Sequence, residues 1–313
     1  MSSRKRVLCI GLVCVDMISV VPEFPEEDSD HQVKDYYWQR GGNASNTASV
    51  LALMGVAAEF YGTIAKGHEL HFLQNDMEEF GILSENCVTY GKGHSTPVSI
   101  VIVSGKTGSR TILHSNKSLP EIRVDDFQKL DLKHYSWIHF EGRQNCEAIQ
   151  QMLLCIEEYN KTASKGDTVL TSVEAEKPRR PKTDLILNHS DYVFISKEFA
   201  RDRNFDTKES AVKGMLPYIR PGATVICAWG EDGAAASTGD GELFVSHTFP
   251  PVLVVDTLGA GDTFNGSCIY ALNKGHSIQK AITLGCKVAG AKCGLKCIKD
   301  LKTLFAGGIE NIL

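Results

Sequence analysis

The sequence lacks any apolar run long enough to cross a bilayer, which takes about 20 residues, and Met1-Ser2-Ser3-Arg4-Lys5-Arg6 passes straight into Val7-Leu8-Cys9-Ile10 without a secretory cleavage site. The expectation is a cytosolic protein with no membrane partner. A basic surplus is missing too: 33 Lys and Arg stand against 38 Asp and Glu, a formal net charge of −5, whereas a nucleic-acid binder needs excess cations to neutralise phosphates. Nucleic acid is therefore not an expected partner. Metal-ligand spacing is absent from the 10 cysteines: Cys286, Cys293 and Cys297 cluster but match no common zinc pattern, and Cys9, Cys14, Cys227 and Cys268 lie among apolar residues, as thiols do in a reducing compartment. Neither disulfides nor a protein-held metal is expected. His68-Glu69-Leu70-His71 spaces its histidines three apart rather than the four of a zinc-protease helix, and reads as a solvated helix face. Gly105-Lys106-Thr107-Gly108 is no P-loop, because Ile100 stands where the first glycine belongs and no helix follows. Gly11 stands alone after the first apolar run, so a dinucleotide fingerprint is missing as well. There is no internal repeat and no low-complexity linker.

What is present is a chain of 313 residues, 42% hydrophobic, enough for one large α/β domain. Its most informative stretch is Asp256-Thr257-Leu258-Gly259-Ala260-Gly261-Asp262-Thr263-Phe264-Asn265. Residues 252–255 are apolar and largely β-branched and read as a buried strand ending at Asp256. Residues 263–274 read as a helix, with Phe264, Cys268 and Leu272 along one face. In a strand, glycine turn, helix arrangement, the N–H groups of Gly259, Ala260 and Gly261 converge on one spot and make an anion hole. Asp262 would repel a polyanion there. Its carboxylate has a purpose if it takes a proton from a hydroxyl attacking a phosphoryl group held by those amides. A helix cap and an ordinary turn explain either feature alone, but less readily both together.

The rest of the chain alternates strand and helix as in a doubly wound sheet. Residues 7–11 read as the first central strand, with Asp16 near the sheet's ligand edge. Residues 17–21 and 32–38 read as an antiparallel pair outside the main sheet, and 97–103 with 109–114 as another hairpin, so a β lid is expected from about 17–38 and 97–114. Arg40-Gly41-Gly42-Asn43-Ala44-Ser45-Asn46 opens a helix; Asn43 and Asn46 share its first-turn face, where amides can read sugar hydroxyls. Strand-like runs at 137–140, 169–173, 192–195 and 224–228 place Glu141-Gly142-Arg143 and Glu174-Ala175-Glu176-Lys177 at the ligand edge. Arg110, on the second strand of the 97–114 hairpin, is either a phosphate contact or a solvated surface charge, and spacing alone does not decide between them. Gly230-Glu231-Asp232-Gly233 forms a glycine turn suited to a nucleotide, and Phe249-Pro250-Pro251 a stiff apolar edge for a base, although both also suit ordinary loops. Residues 277–290 read as a helix and 300–313 as a tail without identifiable chemistry.

With Gly41-Gly42-Asn43-Ala44-Ser45-Asn46 early and Gly259-Ala260-Gly261-Asp262-Thr263-Phe264 late, the chain resembles the ribokinase-like family of sugar and nucleoside kinases over nearly its whole length. It is most similar to a fructose-phosphorylating branch, through Trp38-Gln39-Arg40, residues 137–143, Glu176-Lys177-Pro178, Cys227-Ala228-Trp229 and Phe249-Pro250-Pro251. The resemblance implies a single ribokinase-like α/β domain over residues 1–313, a mostly parallel sheet flanked by helices, and a β lid that also forms a homodimer contact. It implies ATP-dependent phosphorylation of a ketohexose, fructose at its 1-hydroxyl, with Asp262 as the general base beside Gly259, Ala260 and Gly261. Sugar would meet Asp16, Gly42, Asn43, Asn46 and Asp262, with Asp28 reaching in from a partner's lid; Arg143 and Lys177 join by position. ATP would meet Arg110, the turn from Gly230 through Glu231 and Asp232 to Gly233, and a pocket of Phe249, Pro250, Phe264 and Cys286. Magnesium would ride on the phosphates, and a potassium ion near Asp256 belongs to the same implication. Two departures stand out: Ser196-Lys197-Glu198 occupies the place of the family's Asn-x-x-Glu motif, and the segment after Ile298 is longer than expected. The rivals are a kinase for a ribose-like sugar or nucleoside, and a catalytically silent sugar- or nucleotide-binding module.

Overall fold

A computed structural model describes residues 5–107 and 109–312. In chain order, β1 (Arg6–Ile10), β2 (Cys14–Val21) and β3 (Asp35–Gly41) lead into α1 (Asn43–Leu53). Next come β4 (Ala58–Tyr61), β5 (Thr63–Ala65), α2 (Glu69–Phe80), β6 (Val88–Tyr90), and the hairpin of β7 (Val98–Ser104) and β8 (Arg110–Ser115). The middle of the chain holds α3 (Val124–Phe127), β9 (Tyr135–Glu141), α4 (Cys146–Thr162), β10 (Leu170–Ala175), α5 (Asp184–Leu187), β11 (Tyr192–Ser196), α6 (Lys197–Asp202) and α7 (Lys208–Gly214). Strands β12 (Thr224–Ala228), β13 (Ala234–Thr238) and β14 (Leu243–Ser246) precede α8 (Ala260–Asn273), α9 (Ile278–Cys293) and α10 (Leu301–Phe305).

The main sheet runs β14-β13-β12-β11-β10-β9-β1-β4, parallel from β4 to β12 with an antiparallel edge at β13 and β14. Its central strands are apolar on both sides because both are covered. In β1, Val7 and Cys9 enter the core under α1, α8 and α9, while Leu8 and Ile10 enter the core under α4. The parallel strands all end at one edge, and the N-termini of α1 and α8 open beside it.

A second, four-stranded sheet of order β3-β2-β7-β8 contains the strands expected to form the lid. Its strands reach deeper than expected: β2 begins at Cys14 and β3 continues to Gly41, so Asp16 is a lid residue rather than an appendage of β1. Alternation splits the sheet's side chains. Cys14, Asp16, Ser99, Arg110, Ile112 and His114 face the cleft beneath, whereas Tyr36, Trp38, Ile100 and Leu113 are exposed on the other side. At the hairpin tip Lys106 pairs with Glu23 (2.7 Å), and Gly108 lies outside the described residues.

The expected strand at 252–255 does not form. Val252, Leu253, Val254 and Val255 are all more than half exposed, and the N–H groups of Val255 and Asp256 both donate to the Cys293 carbonyl at the end of α9 (2.7 and 3.2 Å). The segment is an extended connection held by a helix end. The final residues also have a definite place: Leu301 is fully buried, Ile298, Leu304 and Phe305 pack on the core, and Lys287 Nζ donates to the Ile312 carbonyl (2.6 Å).

Candidate active site

A cleft of about 330 Å³ lies between the lid and the ligand edge of the main sheet. Gly42, at the N-cap of α1, has φ 104, and an added Cβ would fall 2.1 Å from the Leu12 carbonyl oxygen. Only glycine fits. A Cβ on Gly41 would similarly strike the Asp16 carboxylate, at 2.2 Å, so the missing side chain is the space in which Asp16 sits.

The turn before α8 is built around Gly259, which has φ 76 and abuts the Ile298 side chain. Asp256 sets the turn by accepting from the Leu258 N–H (2.9 Å). Lys292, fully buried, donates to the Asp256 carboxylate (2.7 Å) and carbonyl (3.0 Å). Two of the three expected anion-hole amides are available: among the described residues nothing accepts from Gly259 or Gly261, while the Ala260 N–H turns back to the Thr257 carbonyl (3.2 Å). Arg110 crosses from the lid to donate to Thr257 Oγ1, which places its guanidinium over the turn.

Asp262 lies in the first turn of α8, 7% exposed, and Asn46 Nδ2 donates to its Oδ2 (2.8 Å). Burial pushes its pKa up to about 7; the Asn46 hydrogen bond opposes this, Glu176 and Glu141 add to it, and Lys177 works against it. Such a carboxyl exchanges protons near neutrality, as a general base should.

One turn further along α8, Asn265 Nδ2 donates to Glu174 Oε1 (2.8 Å). Asn43 Nδ2 donates to Glu174 Oε2 (3.1 Å) and to Glu176 Oε2 (2.8 Å). Glu174 thus ties the first turns of α1 and α8 together at the end of β10. Burial, followed by the nearby Asp262, Glu176 and Glu141, raises its pKa well above the usual carboxyl range. Glu141 closes the site by accepting from the N–H groups of Leu12 (3.0 Å) and Ala44 (3.2 Å) and from Arg143 (3.1 Å). Arg143 also binds Glu121 (2.8 Å), and Lys177 binds Glu176 (2.7 Å).

The cleft therefore gathers Asp16, Gly42, Asn43, Asn46, Arg110, Arg143, Lys177, Gly259, Ala260, Gly261 and Asp262, all expected from sequence. The other candidates stand outside its lining. Gly230 and Gly233 are a left-handed pair (φ 58 and 86) in the turn after β12, with Glu231 held by Lys197 (2.6 Å) and the Asp232 carbonyl by Lys208 (2.7 Å). Phe249 is partly exposed under the Lys287 ammonium, next to Pro250. Phe264 and Cys286 are core residues, and burial pushes the Cys286 thiol up. Asp28 sits on the exposed lid loop with φ 60, away from its own chain's cleft. Asn265, Gln39, Ser99 and His114 carry contacts that the linear sequence did not single out. Asn265 alone had a readable signal, its position three residues after Asp262 on one helix face.

The fold is that of the ribokinase-like kinases. Solved ribokinases superpose over nearly the whole chain: the Giardia lamblia enzyme with TM-score 0.77, 18% identity, and 95% of this chain and 96% of that one covered, and the Arabidopsis thaliana enzyme, solved with ribose and ATP, with TM-score 0.76, 17% identity and 95% of each covered. At that identity the likeness establishes the fold. The sequence matches the pfkB family over residues 4–296, and the chain belongs to this family of carbohydrate kinases. It is 45% identical to the ketohexokinase of Mus musculus over 293 residues, 94% of this chain and 97% of the mouse protein. Its identity to the 5-dehydro-2-deoxygluconokinase of Geobacillus thermodenitrificans is 22%, over 90% and 85% of the two chains.

Proposed function

We propose that the protein is a ketohexokinase that transfers the γ-phosphoryl group of ATP to the 1-hydroxyl of fructose. The observation that carries this reading is the buried Asp262 carboxyl, set between the free amides of the α8 turn and the amide-lined entrance of α1. The extensive identity to mouse ketohexokinase supports fructose among the sugars.

The sugar is held by Asn43 and Asn46 from α1, whose amides both donate and accept, and by Asp16 from the lid, whose carboxylate accepts. Its reacting hydroxyl gives its proton to Asp262 as the oxygen bonds to the γ-phosphorus and the bond to the ADP oxygen breaks. The Gly259 and Gly261 amides, the positive end of α8 and the Arg110 guanidinium stabilise the charge on the transferring group. A magnesium ion would be carried by nucleotide phosphates and water, with the carboxylate of Glu176 as an acceptor for that water. Bound magnesium neutralises phosphate charge. Potassium has no assigned role in this reading, because the Asp256 carboxylate is already paired with the Lys292 ammonium.

The reading includes a homodimer through the exposed apolar face of Tyr36, Trp38, Ile100 and Leu113, with Asp28 entering the partner's sugar site, and a cytoplasmic location. Among the described residues no helix is long and apolar enough to cross a membrane. An ADP-release assay over ketoses, aldoses, ribose and adenosine tests the activity. Fructose should be used best and yield fructose 1-phosphate by phosphorus NMR. Preference for ribose or adenosine would move the protein elsewhere in the family, and no turnover on any sugar would favour a binding module.

A further inference from the structure

The lid sheet carries one polar rung across all four strands. Asp16 of β2 is paired in register with Gln39 of β3 and with Ser99 of β7, and Ser99 is paired with His114 of β8. The rung stands among apolar neighbours such as Ile18, Val101 and Ile112, on the face that roofs the cleft. Asp16 is 7% exposed and Ser99 4%, with His114 at the rim. Among the described residues Asp16 has no ion-pair partner. Burial raises its pKa, opposed by Ser99, by Cys14, whose Sγ donates to Oδ1 (3.4 Å), by the nearby His114 and by Gln39.

Ser99 owns one hydroxyl proton. Ser99 Oγ also lies 3.8 Å from Cys14 Sγ, where either atom could donate, so its proton can go to Asp16 or to Cys14. If that proton goes to Asp16, the 3.1 Å contact between Ser99 Oγ and His114 Nδ1 must be a donation from the imidazole. Burial and then Arg143 hold the imidazole below its ordinary pKa, opposed by Asp16 and Glu141 and assisted by Lys177, so at neutral pH it is neutral. A neutral ring that donates through Nδ1 presents Nε2 as an acceptor.

We infer that His114, acting through Ser99, is a positioning residue that fixes the Asp16 carboxylate as the acceptor for sugar hydroxyls and so sets which sugar the lid admits. Without the relay, the Ser99 hydroxyl is free to rotate away, and Asp16, buried and unpaired, loses a donor it needs to stay charged. The remaining form of the site is an acid that donates as well as accepts, and it discriminates hydroxyl positions less sharply. ATP meets the lid through Arg110 at the start of β8, which is not part of the rung. This inference rests on the sugar-kinase reading and refines its selectivity.

The experiment is steady-state kinetics of the full chain and of the variants Ser99→Ala, His114→Ala, His114→Asn and the double alanine variant. The assay uses the sugar that the wild type turns over best, followed by analogues lacking single hydroxyls. Loss of a hydrogen bond to a charged group predicts that Ser99→Ala and His114→Ala each raise the sugar KM by about tenfold, with little change in the KM for ATP. The double variant should be no worse than either single one, because the residues form one chain. His114→Asn, whose amide nitrogen stands near the place of Nδ1, should recover most of the lost affinity, and this separates the relay from a packing role. An unchanged sugar KM, fully additive effects, an equal rise for ATP, or no recovery with Asn would each overturn the inference. A wild type with no sugar turnover would instead defeat the kinase reading itself.

Discussion

Replacing Asp262 with Asn should produce a kinase that is both dead and sturdier. The carboxyl has an ordinary pKa of 3.8 when the chain is unfolded and about 7 in the fold, chiefly because burial strips its water. Above pH 7 the folded protein therefore carries a charge it would prefer to lose. At about 1.36 kcal/mol per unit, the displacement amounts to at most ~4 kcal/mol. Part of this belongs to Glu174, which shares the pocket. A realistic gain for Asp262→Asn is about 1–3 kcal/mol at pH 8, or a melting temperature higher by roughly 2–8 °C. The sign is fixed by linkage: a raised folded pKa contributes stability below pH 3.8 that is lost as pH rises through about 7, so the variant's advantage should shrink on acidification towards pH 4. The Asn46 bond survives because the new amide oxygen can accept it. Loss of a general base costs about 10²- to 10⁴-fold in turnover. Sugar-dependent ADP release and scanning fluorimetry from pH 5 to pH 8, run on the same preparations, read both effects. Near-normal turnover would remove Asp262 as the base, and a lower melting temperature at pH 8 would refute the burial argument.

Gly259→Ala should cost roughly 1–2 kcal/mol for its left-handed backbone and the collision with Ile298; adding Ile298→Ala should recover the collision but not the strain, as chemical denaturation would measure. Lys292→Met leaves the Asp256 carboxylate without its ammonium and should destabilise by about 3 kcal/mol, with turnover falling because Asp256 sets the Leu258 N–H; a variant as stable as wild type would show that the pair is dispensable. Glu174→Gln offers one carbonyl where two amides now donate, so sugar KM should rise about 3- to 10-fold as Asn43 or Asn265 loses its acceptor. Unchanged kinetics in that variant would reduce Glu174 to core packing.

The main sheet, the helices and the strands of the second sheet were legible in the sequence because each depends on local periodicity. The glycine turns were legible because their spacing is local too. Residues 252–255 misled for the same reason: β-branched apolar residues signal a buried strand, but their hydrogen bonds are made with the end of α9, some forty residues away. Glu174 could be placed at the ligand edge, but its grip on two helices could not, since Asn43 and Asn265 meet only after folding. The rung through Ser99 and His114 was hidden for a similar reason. Strand register across β2, β7 and β8 decides it, and nothing in residues 98–115 alone specifies that register.

The bond from Asn46 to Asp262 bears on thrift as well as on catalysis. A kinase that holds ATP beside an uncovered base risks giving the phosphoryl group to water. Here the carboxyl proposed as the base accepts from an amide donor (2.8 Å) that belongs to the proposed sugar pocket. A lone water molecule must compete with that amide, whereas on the proposed reading a sugar would bind Asn46 itself and free the carboxyl. On the proposed reading, the contact that orients the carboxyl would also act as a guard, holding down idle hydrolysis of ATP until an acceptor arrives.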